Sequence, residues 1–325
     1  MEFAIAIAIL TLGFISAEVG LRLFFGFGNP LLYIPDKNIG YLLSPNQRVR
    51  RMGNRIAINQ YSMRSPQINP TPAPKTLRIM LVGDSVANGG WWTDREQTIS
   101  QLMQQQWSDR RKTIEVLNAS ANSWGPRNEL AYLQRFGLFG SRVLVLLLNT
   151  DDLFGTPPTS IPVGRDRNYP ESKPPLALME VYSRFFSPSQ PIPELQALQN
   201  EGGDRVGINL SAIEEIAAIA TQNNTHFILA LTPLLREIGQ PGSRDYEQKA
   251  RQRLLELTQK QNIPYLDFLP LFNCQENPKN LYRDHIHLSP EGNQYIARSL
   301  WEAILNLPLS EEEPKKDLTS EIPST

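Results

Sequence analysis

The stretch Leu77-Arg78-Ile79-Met80-Leu81-Val82-Gly83-Asp84-Ser85-Val86-Ala87-Asn88 reads as a short apolar strand that runs into a tight polar turn. A helix start follows, for which Asp84 or Ser85 is a suitable cap. Four further stretches have the same form. Thr113 to Leu117 ends at Asn118, and Arg142 to Leu148 ends at Asn149. His226 to Leu231 ends at Thr232-Pro233, and Pro264 to Phe268 is a fifth candidate. Helical periodicity lies between and after them, over about 96–107, 128–138, 211–222, 245–261 and 290–305. Continuous apolar strands alternating with helices predict an α/β domain with a mainly parallel sheet covered on both faces. In such a sheet ligands bind at the carboxyl ends of the strands. Ser85, the segment Asn118 to Gly125, the segment Asn149 to Asp152, and Asp284 with His287 are all expected at that one edge.

A serine at a strand-to-helix turn is exposed, and its backbone N–H can face a developing oxyanion. The stretch Asp284-His285-Ile286-His287-Leu288-Ser289-Pro290-Glu291-Gly292 supplies the partners. Ser289 suits an N-cap, Pro290 the first helical position and Glu291 the helix dipole, so a helix start anchors the loop that carries His287. Asp284 would hold the imidazole tautomer and His287 would take the proton of Ser85. A zinc site would need more ligands than His285 and His287. The third histidine of the chain, His226, begins a strand, so no metal or organic cofactor is expected.

The segment Val82-Gly83-Asp84-Ser85-Val86-Ala87-Asn88-Gly89 resembles the first block of the SGNH/GDSL hydrolases, and Asp284-x-x-His287 resembles their last block. The two stand in the family's order, and the resemblance covers about residues 76–308. It implies a flavodoxin-like three-layer α/β/α sandwich and an ester hydrolase with catalytic residues Ser85, Asp284 and His287. Family members include esterases, lipases, carbohydrate deacetylases and some acyltransferases. The resemblance also implies an oxyanion hole built from the Ser85 N–H and two further donors. The family's second-block glycine falls on Ser123, with Gly125 as the alternative. Its third-block asparagine falls on Asp151, where an ionised carboxylate cannot donate. Either Asp151 is protonated, or Asn149 substitutes, or the hole is weakened. Asp151 could also cap the loop that follows it, or pair with Arg165 or Arg167.

Phe3 to Phe27 is apolar except for Glu18 and Arg22, which stand four apart and share a helical face. As a helix it is long enough to span a bilayer. Glu2 and the lack of Lys or Arg ahead of the run favour an uncleaved anchor, residues 1–28, over a signal peptide, although Ser16 and Ala17 would suit cleavage. Lys37, Arg48, Arg50, Arg51 and Arg55 follow the segment, a bias that by itself favours a cytoplasmic domain. The resemblance to membrane-anchored bacterial members, loosely carried by Glu18-x-x-x-Arg22, Gly40-Tyr41, Pro45-Asn46, Ile58-Asn59 and Arg64, implies a domain outside the cytoplasm instead. Residues 29–75 read as a juxtamembrane connector, 76–308 as the hydrolase domain with a long Pro-rich insert at 153–205, and 309–325 as a disordered tail.

A connection as long as the insert is usually functional. Its Tyr169, Tyr182, Phe185 and Phe186 could line a substrate groove or merely dock the loop. Trp91, Trp92 and Trp124 could stack on a sugar or fill the core. The formal net charge of -1 argues against nucleic acid, and the single cysteine, Cys274, excludes an internal disulfide. The expected partners are therefore a small-molecule or glycan acyl ester and membrane lipid. An acyltransferase of envelope glycans would use the same residues. A non-catalytic binding module would account for Ser123 and Asp151.

Overall fold

The computed structural model describes residues 1–106, 113–188 and 190–309. The chain opens with helix α1 (Glu2–Gly20) and four short strands, β1 (Tyr33–Asp36), β2 (Gly40–Leu43), β3 (Arg48–Arg51) and β4 (Asn54–Ala57). Strand β5 (Thr76–Gly83), helices α2 (Ser85–Asn88) and α3 (Ile99–Gln105), and strand β6 (Thr113–Ser120) follow. Next come α4 (Pro126–Phe136), β7 (Val143–Asn149), α5 (Ala177–Phe185), α6 (Pro193–Gln199) and α7 (Arg205–Gln222). The last elements are β8 (His226–Thr232), α8 (Asp245–Gln261), β9 (Tyr265–Asp267), α9 (Phe268–Asn273) and α10 (Pro290–Leu305).

The main sheet has the order β6-β5-β7-β8-β9 and every pairing in it is parallel. Counted from β5, this is the doubly wound order 2-1-3-4-5. All seven residues of β7 are buried, as a strand covered on both faces requires. Helices α3, α9 and α10 cover one face through Ile99, Met103, Phe268, Phe272, Ile296 and Leu300. Helices α4, α7 and α8 cover the other through Tyr132, Leu133, Ile213, Ile216 and Leu254. The connections on either side of β6 therefore lie on opposite faces. Register then aligns the exits: Gly83 sits opposite both Ser120 and Leu147, and Asn149 sits opposite Thr232.

The helical windows 245–261 and 290–305 coincide with α8 and α10. The window 96–107 shortens to α3, preceded by a 3-10 turn at Arg95–Gln97, and its last residue lies outside the described residues, as does the tail beyond 309. The stretch read as a connector is folded. Strands β1 and β2 form one antiparallel hairpin and β3 and β4 another. Tyr33, Tyr41, Leu43, Ile56, Ile58 and Met63 are buried in the same core cluster as α4 and α7. Four-residue strands, one of them containing Pro35, show too little alternation to be recognised, and their stability comes from the body they dock on. Arg64 continues this docking. It is buried, its guanidinium donates to the carbonyls of Asn88, Gly90 and Thr93, and burial pulls its pKa down to about 10.

Helix α4 buries Glu129 completely, and neither carboxyl oxygen has a hydrogen-bond partner among the described residues. Burial, reinforced by nearby Asp84, raises its pKa well above the usual carboxylate range. The folded pKa exceeds the unfolded one. Below the unfolded value both states hold the proton and Glu129 costs nothing. As pH rises, the unfolded state alone ionises and stability is lost, by at most about 1.4 kcal/mol per pH unit. Glu129→Gln is therefore expected to melt above the wild type at pH 8, with a smaller gap at pH 5. Melting curves across that range check it, and a gap that stays flat or narrows with pH would rule the account out.

Candidate active site

Strand β5 delivers Ser85 to the first position of α2. Asp84 caps this helix by accepting from the Val86 N–H at 2.8 Å. The Ser85 Oγ lies 3.0 Å from His287 Nε2, a residue 202 positions away. His287 Nδ1 lies 2.9 Å from Asp284 Oδ2 and 3.1 Å from Oδ1. The Asp284 Oδ1 also accepts from the N–H groups of Ile286 at 3.0 Å and His287 at 2.9 Å, so one carboxylate shapes the turn and orients the ring. Burial alone would raise the Asp284 pKa, but these donors hold it below the usual range. An ionised Asp284 makes Nδ1 the protonated nitrogen and leaves Nε2 to accept from Ser85.

The loop is fixed from below by α10. Ser289 Oγ accepts from the Gly292 N–H at 3.1 Å and donates to the Asn280 carbonyl at 2.6 Å. A Cβ on Gly292 would sit 2.1 Å from the Leu281 carbonyl oxygen, so only glycine allows the helix start to approach this closely. Trp92 lies against His287 with ring centroids 4.5 Å apart.

Behind Ser85 is a buried acid cluster. Asn149 Nδ2 donates to Asp84 Oδ2 at 2.9 Å and to Asp152 Oδ2 at 3.0 Å, and the Asn149 N–H donates to the same Asp152 oxygen at 2.8 Å. Burial raises Asp84, and raises Asp152 far above the usual range with Asp84 and Glu129 adding to it. Protonated Asp152 and Glu129 keep negative charge low behind the position where an oxyanion on a Ser85 adduct would form.

The structure separates the oxyanion candidates. Ser123 faces the cleft with φ 57, a left-handed conformation that favours glycine. Its N–H donates to no other described residue, while its Oγ accepts from the Tyr169 hydroxyl at 2.8 Å. The Gly125 N–H donates to Asn128 Oδ1 at 3.2 Å, because Gly125 caps α4. The Asn149 amide is engaged by Asp84 and Asp152, and Asn149 does not line the cleft. Asp151 is also outside the cleft wall. It begins the turn after β7, where its N–H donates to Asn149 Oδ1 at 2.7 Å. Turn geometry thus aims the Gly125 N–H, the Asn149 amide and the Asp151 N–H at partners within the domain. The expected arginine partners of Asp151 are also engaged elsewhere: Arg165 pairs with Glu194, and Arg167 caps the carbonyls at the end of α5.

The cleft extends away from Ser85. Trp91 and Trp92 flank the serine, and Trp124 is instead a core residue donating to the Tyr41 carbonyl. Tyr169 from the insert lines the cleft, whereas Tyr182, Phe185 and Phe186 are exposed on α5 and just after it. Asn29, Tyr33, Arg51 and Ile56 come from the stretch read as a connector, and Asn168 and Arg184 from the insert. None of these follows a main-sheet strand, so no strand-end signal in the sequence marks them.

The sequence profile of the GDSL-like lipase/acylhydrolase family matches residues 81–295. The chain belongs to that family. It is an enzyme that hydrolyses ester bonds. No curated relative matches the chain. Similar solved structures include an acetyl xylan esterase, AlAXEase, at 16% identity and TM-score 0.49 over 70% of this chain and 99% of that one. A member of the lipolytic G-D-S-L family from Veillonella parvula is 11% identical with TM-score 0.45, over 71% of this chain and 99% of that one. LAE5, a hydrolase from the metagenome of Lake Arreo, is 13% identical with TM-score 0.47, over 72% and 95%.

Two substitutions test this GDSL-family site. Asp151→Asn is expected to leave kcat within about twofold, because the side chain lies outside the cleft; a tenfold gain would return it to the oxyanion hole. Gly292→Ala should lower kcat by about tenfold or more by displacing the loop of His287, since displacements near 1 Å can cost about 100-fold. Steady-state rates with a circular dichroism check of folding decide it, and a folded, fully active variant would show that the close approach does not position the loop.

Proposed function

We propose that this chain is a membrane-anchored serine esterase that works through an acyl-enzyme, with Ser85 as nucleophile, His287 as general base and Asp284 orienting the imidazole. The supporting observation is the continuous contact of Ser85 Oγ to His287 Nε2 at 3.0 Å and His287 Nδ1 to Asp284 at 2.9 Å. Ser85 Oγ attacks the ester carbonyl as its proton passes to Nε2. The tetrahedral oxyanion is held by the N–H groups of Ser123 and Ser85. Collapse breaks the ester C–O bond, and the Nε2 proton leaves on the alcohol. Water then repeats the sequence, giving the free acid and restoring Ser85. These steps call for no metal or organic cofactor. The substrate is a small-molecule or glycan acyl ester.

The anchor reading rests on Glu2–Phe25, a helical segment of mean hydropathy 2.1 with none of its apolar window buried. The Glu18 carboxylate accepts from the N–H groups of Ala177 and Leu178 at 2.8 and 3.0 Å, and Arg22 donates to the Pro175 carbonyl at 3.0 Å. These bonds fix α5 beside the end of the segment. There the exposed Met179, Tyr182, Phe185 and Phe186 extend the apolar surface of Leu23 and Phe24. Aromatic residues at that level suit the membrane–water interface. The proposal puts the domain outside the cytoplasm, and the loose resemblance of the lead-in to membrane-anchored bacterial members supports it.

Purified full-length protein should hydrolyse a short-chain aryl ester and be labelled by a fluorophosphonate at Ser85. Ser85→Ala should abolish both, and Asp284→Asn should lower kcat on the order of 10⁴-fold. An active Ser85→Ala protein would sink the mechanism. For the anchor, carbonate-washed membranes should retain the chain, and a C-terminal reporter should be active outside the cytoplasm. Release by carbonate, or a cytoplasmic signal, would overturn the respective half.

A further inference from the structure

The end of the cleft away from Ser85 is organised by one buried acid. Glu180 on α5 accepts from the Arg51 guanidinium, from the Gly28 N–H at 2.7 Å and from Arg184 Nε at 2.9 Å. Burial alone would raise its pKa, but these donors, Arg51 foremost, hold it below the usual range, so it stays ionised. Two guanidinium groups therefore share one carboxylate, and this end keeps one positive charge.

The two arginines are used differently. Arg51 is committed: it also donates to the Gly26 carbonyl at 3.0 Å and lies over the Phe27 ring at 4.6 Å. Arg184 contacts Glu180 through Nε alone. Its two terminal nitrogens donate to no other described residue, and its side chain lines the cleft. Asn29 is also on the cleft wall. Two aromatic rings also line this cleft. Tyr33 and Tyr169 have centroids 5.1 Å apart, and the Tyr169 hydroxyl meets Ser123. The anchored guanidinium thus lines the same cleft as the reacting serine.

We infer that Arg184 is an anion subsite, and that the substrate is an acyl ester also bearing a carboxylate or phosphodiester. The inference rests on the esterase reading and names the substrate class of the same cleft. The terminal nitrogens of a guanidinium whose Nε is already fixed form a pre-oriented fork for two oxygens of one anion. A neutral analogue would leave the two terminal nitrogens without an anion to bind. A charge-assisted hydrogen bond to a partly buried group corresponds to about 10- to 100-fold in discrimination.

The test uses full-length protein in detergent and two pairs of esters. One pair is an acetylated uronic acid and its uronamide; the other is an acyl glycerol phosphodiester and its neutral methyl triester. The expected result is a kcat/KM at least about tenfold higher for the charged member of one pair, shrinking as salt is added. The responding pair tells a carboxylate from a phosphodiester source. Arg184→Gln should bring the ratio towards one, and Arg184→Lys, which keeps the charge and loses the fork, should retain part of it. Equal kcat/KM within both pairs, with the neutral esters turned over and Ser85 labelled, overturns the subsite and leaves the esterase reading standing. No turnover and no labelling overturns the esterase reading and the subsite with it. A ratio unchanged in both variants removes Arg184 from the assignment. The wild-type ratio requires no variant, so a misfolded Arg184→Gln protein does not blunt the test.

Discussion

Strand β5 is hydrogen bonded to β6 on one side and to β7 on the other, and the helices flanking β6 lie on opposite faces of the sheet. This reversal is the constraint on which the active end depends. Where neighbouring connections leave to opposite faces, the strand ends between them are uncovered and a crevice opens. Ser85 stands at the exit of β5, Ser123 beyond the exit of β6, and Asn149 with Asp152 at the exit of β7. The register that aligns Gly83 with Ser120 and Leu147 brings distant parts of the chain to one edge. The His287 loop reaches that edge because α10 starts directly beneath the Leu281 carbonyl, an approach limited by backbone contact rather than by side-chain packing.

The same edge concentrates acids. Asp84, Glu129 and Asp152 are buried close together behind a serine whose reaction would create negative charge. Low dielectric favours protonation of Glu129 and Asp152, so Asp152 keeps its bonds from Asn149, and Glu129 stays buried without a partner among the described residues, at little cost in charge. Asp284 is the opposite case. It is open enough, and meets enough donors, to stay ionised, and its charge is directed onto His287. Carboxyl groups within one site thus differ in protonation because their donors differ.

What the sequence made legible follows from how local each signal was. The five main strands and α8 and α10 carry apolar runs or helical periodicity, and both ends of Ser85–His287–Asp284 lie in turns with recognisable caps, Asp84 and Ser289. Ser123 was legible as a position but not as a conformation; its φ of 57 is a property of the turn. The directions of Asn149 and Asp151 were not legible, because their place after a strand does not say which way a 3-10 turn aims them. The hairpins β1-β2 and β3-β4 were hidden because their strands are too short to have a period. Glu180 and its arginines were hidden because Gly28, Arg51 and Arg184 meet only after three separate segments dock. No local pattern encodes a contact of that kind.

The folding of residues 29–75 onto the body divides the enzyme along its length. The family profile begins at residue 81, after Asn29, Tyr33, Arg51 and Ile56 have already entered the cleft wall. The stretch that carries the reaction and the stretch that shapes much of the cavity are therefore contiguous in space and separate in sequence. The lead-in acts as a faceplate fitted over a standard motor. Two small hairpins, outside the main sheet's hydrogen bonding, shape the cavity without carrying Ser85, His287 or Asp284. Selectivity for the guest and the machinery for cleaving it can then diverge independently.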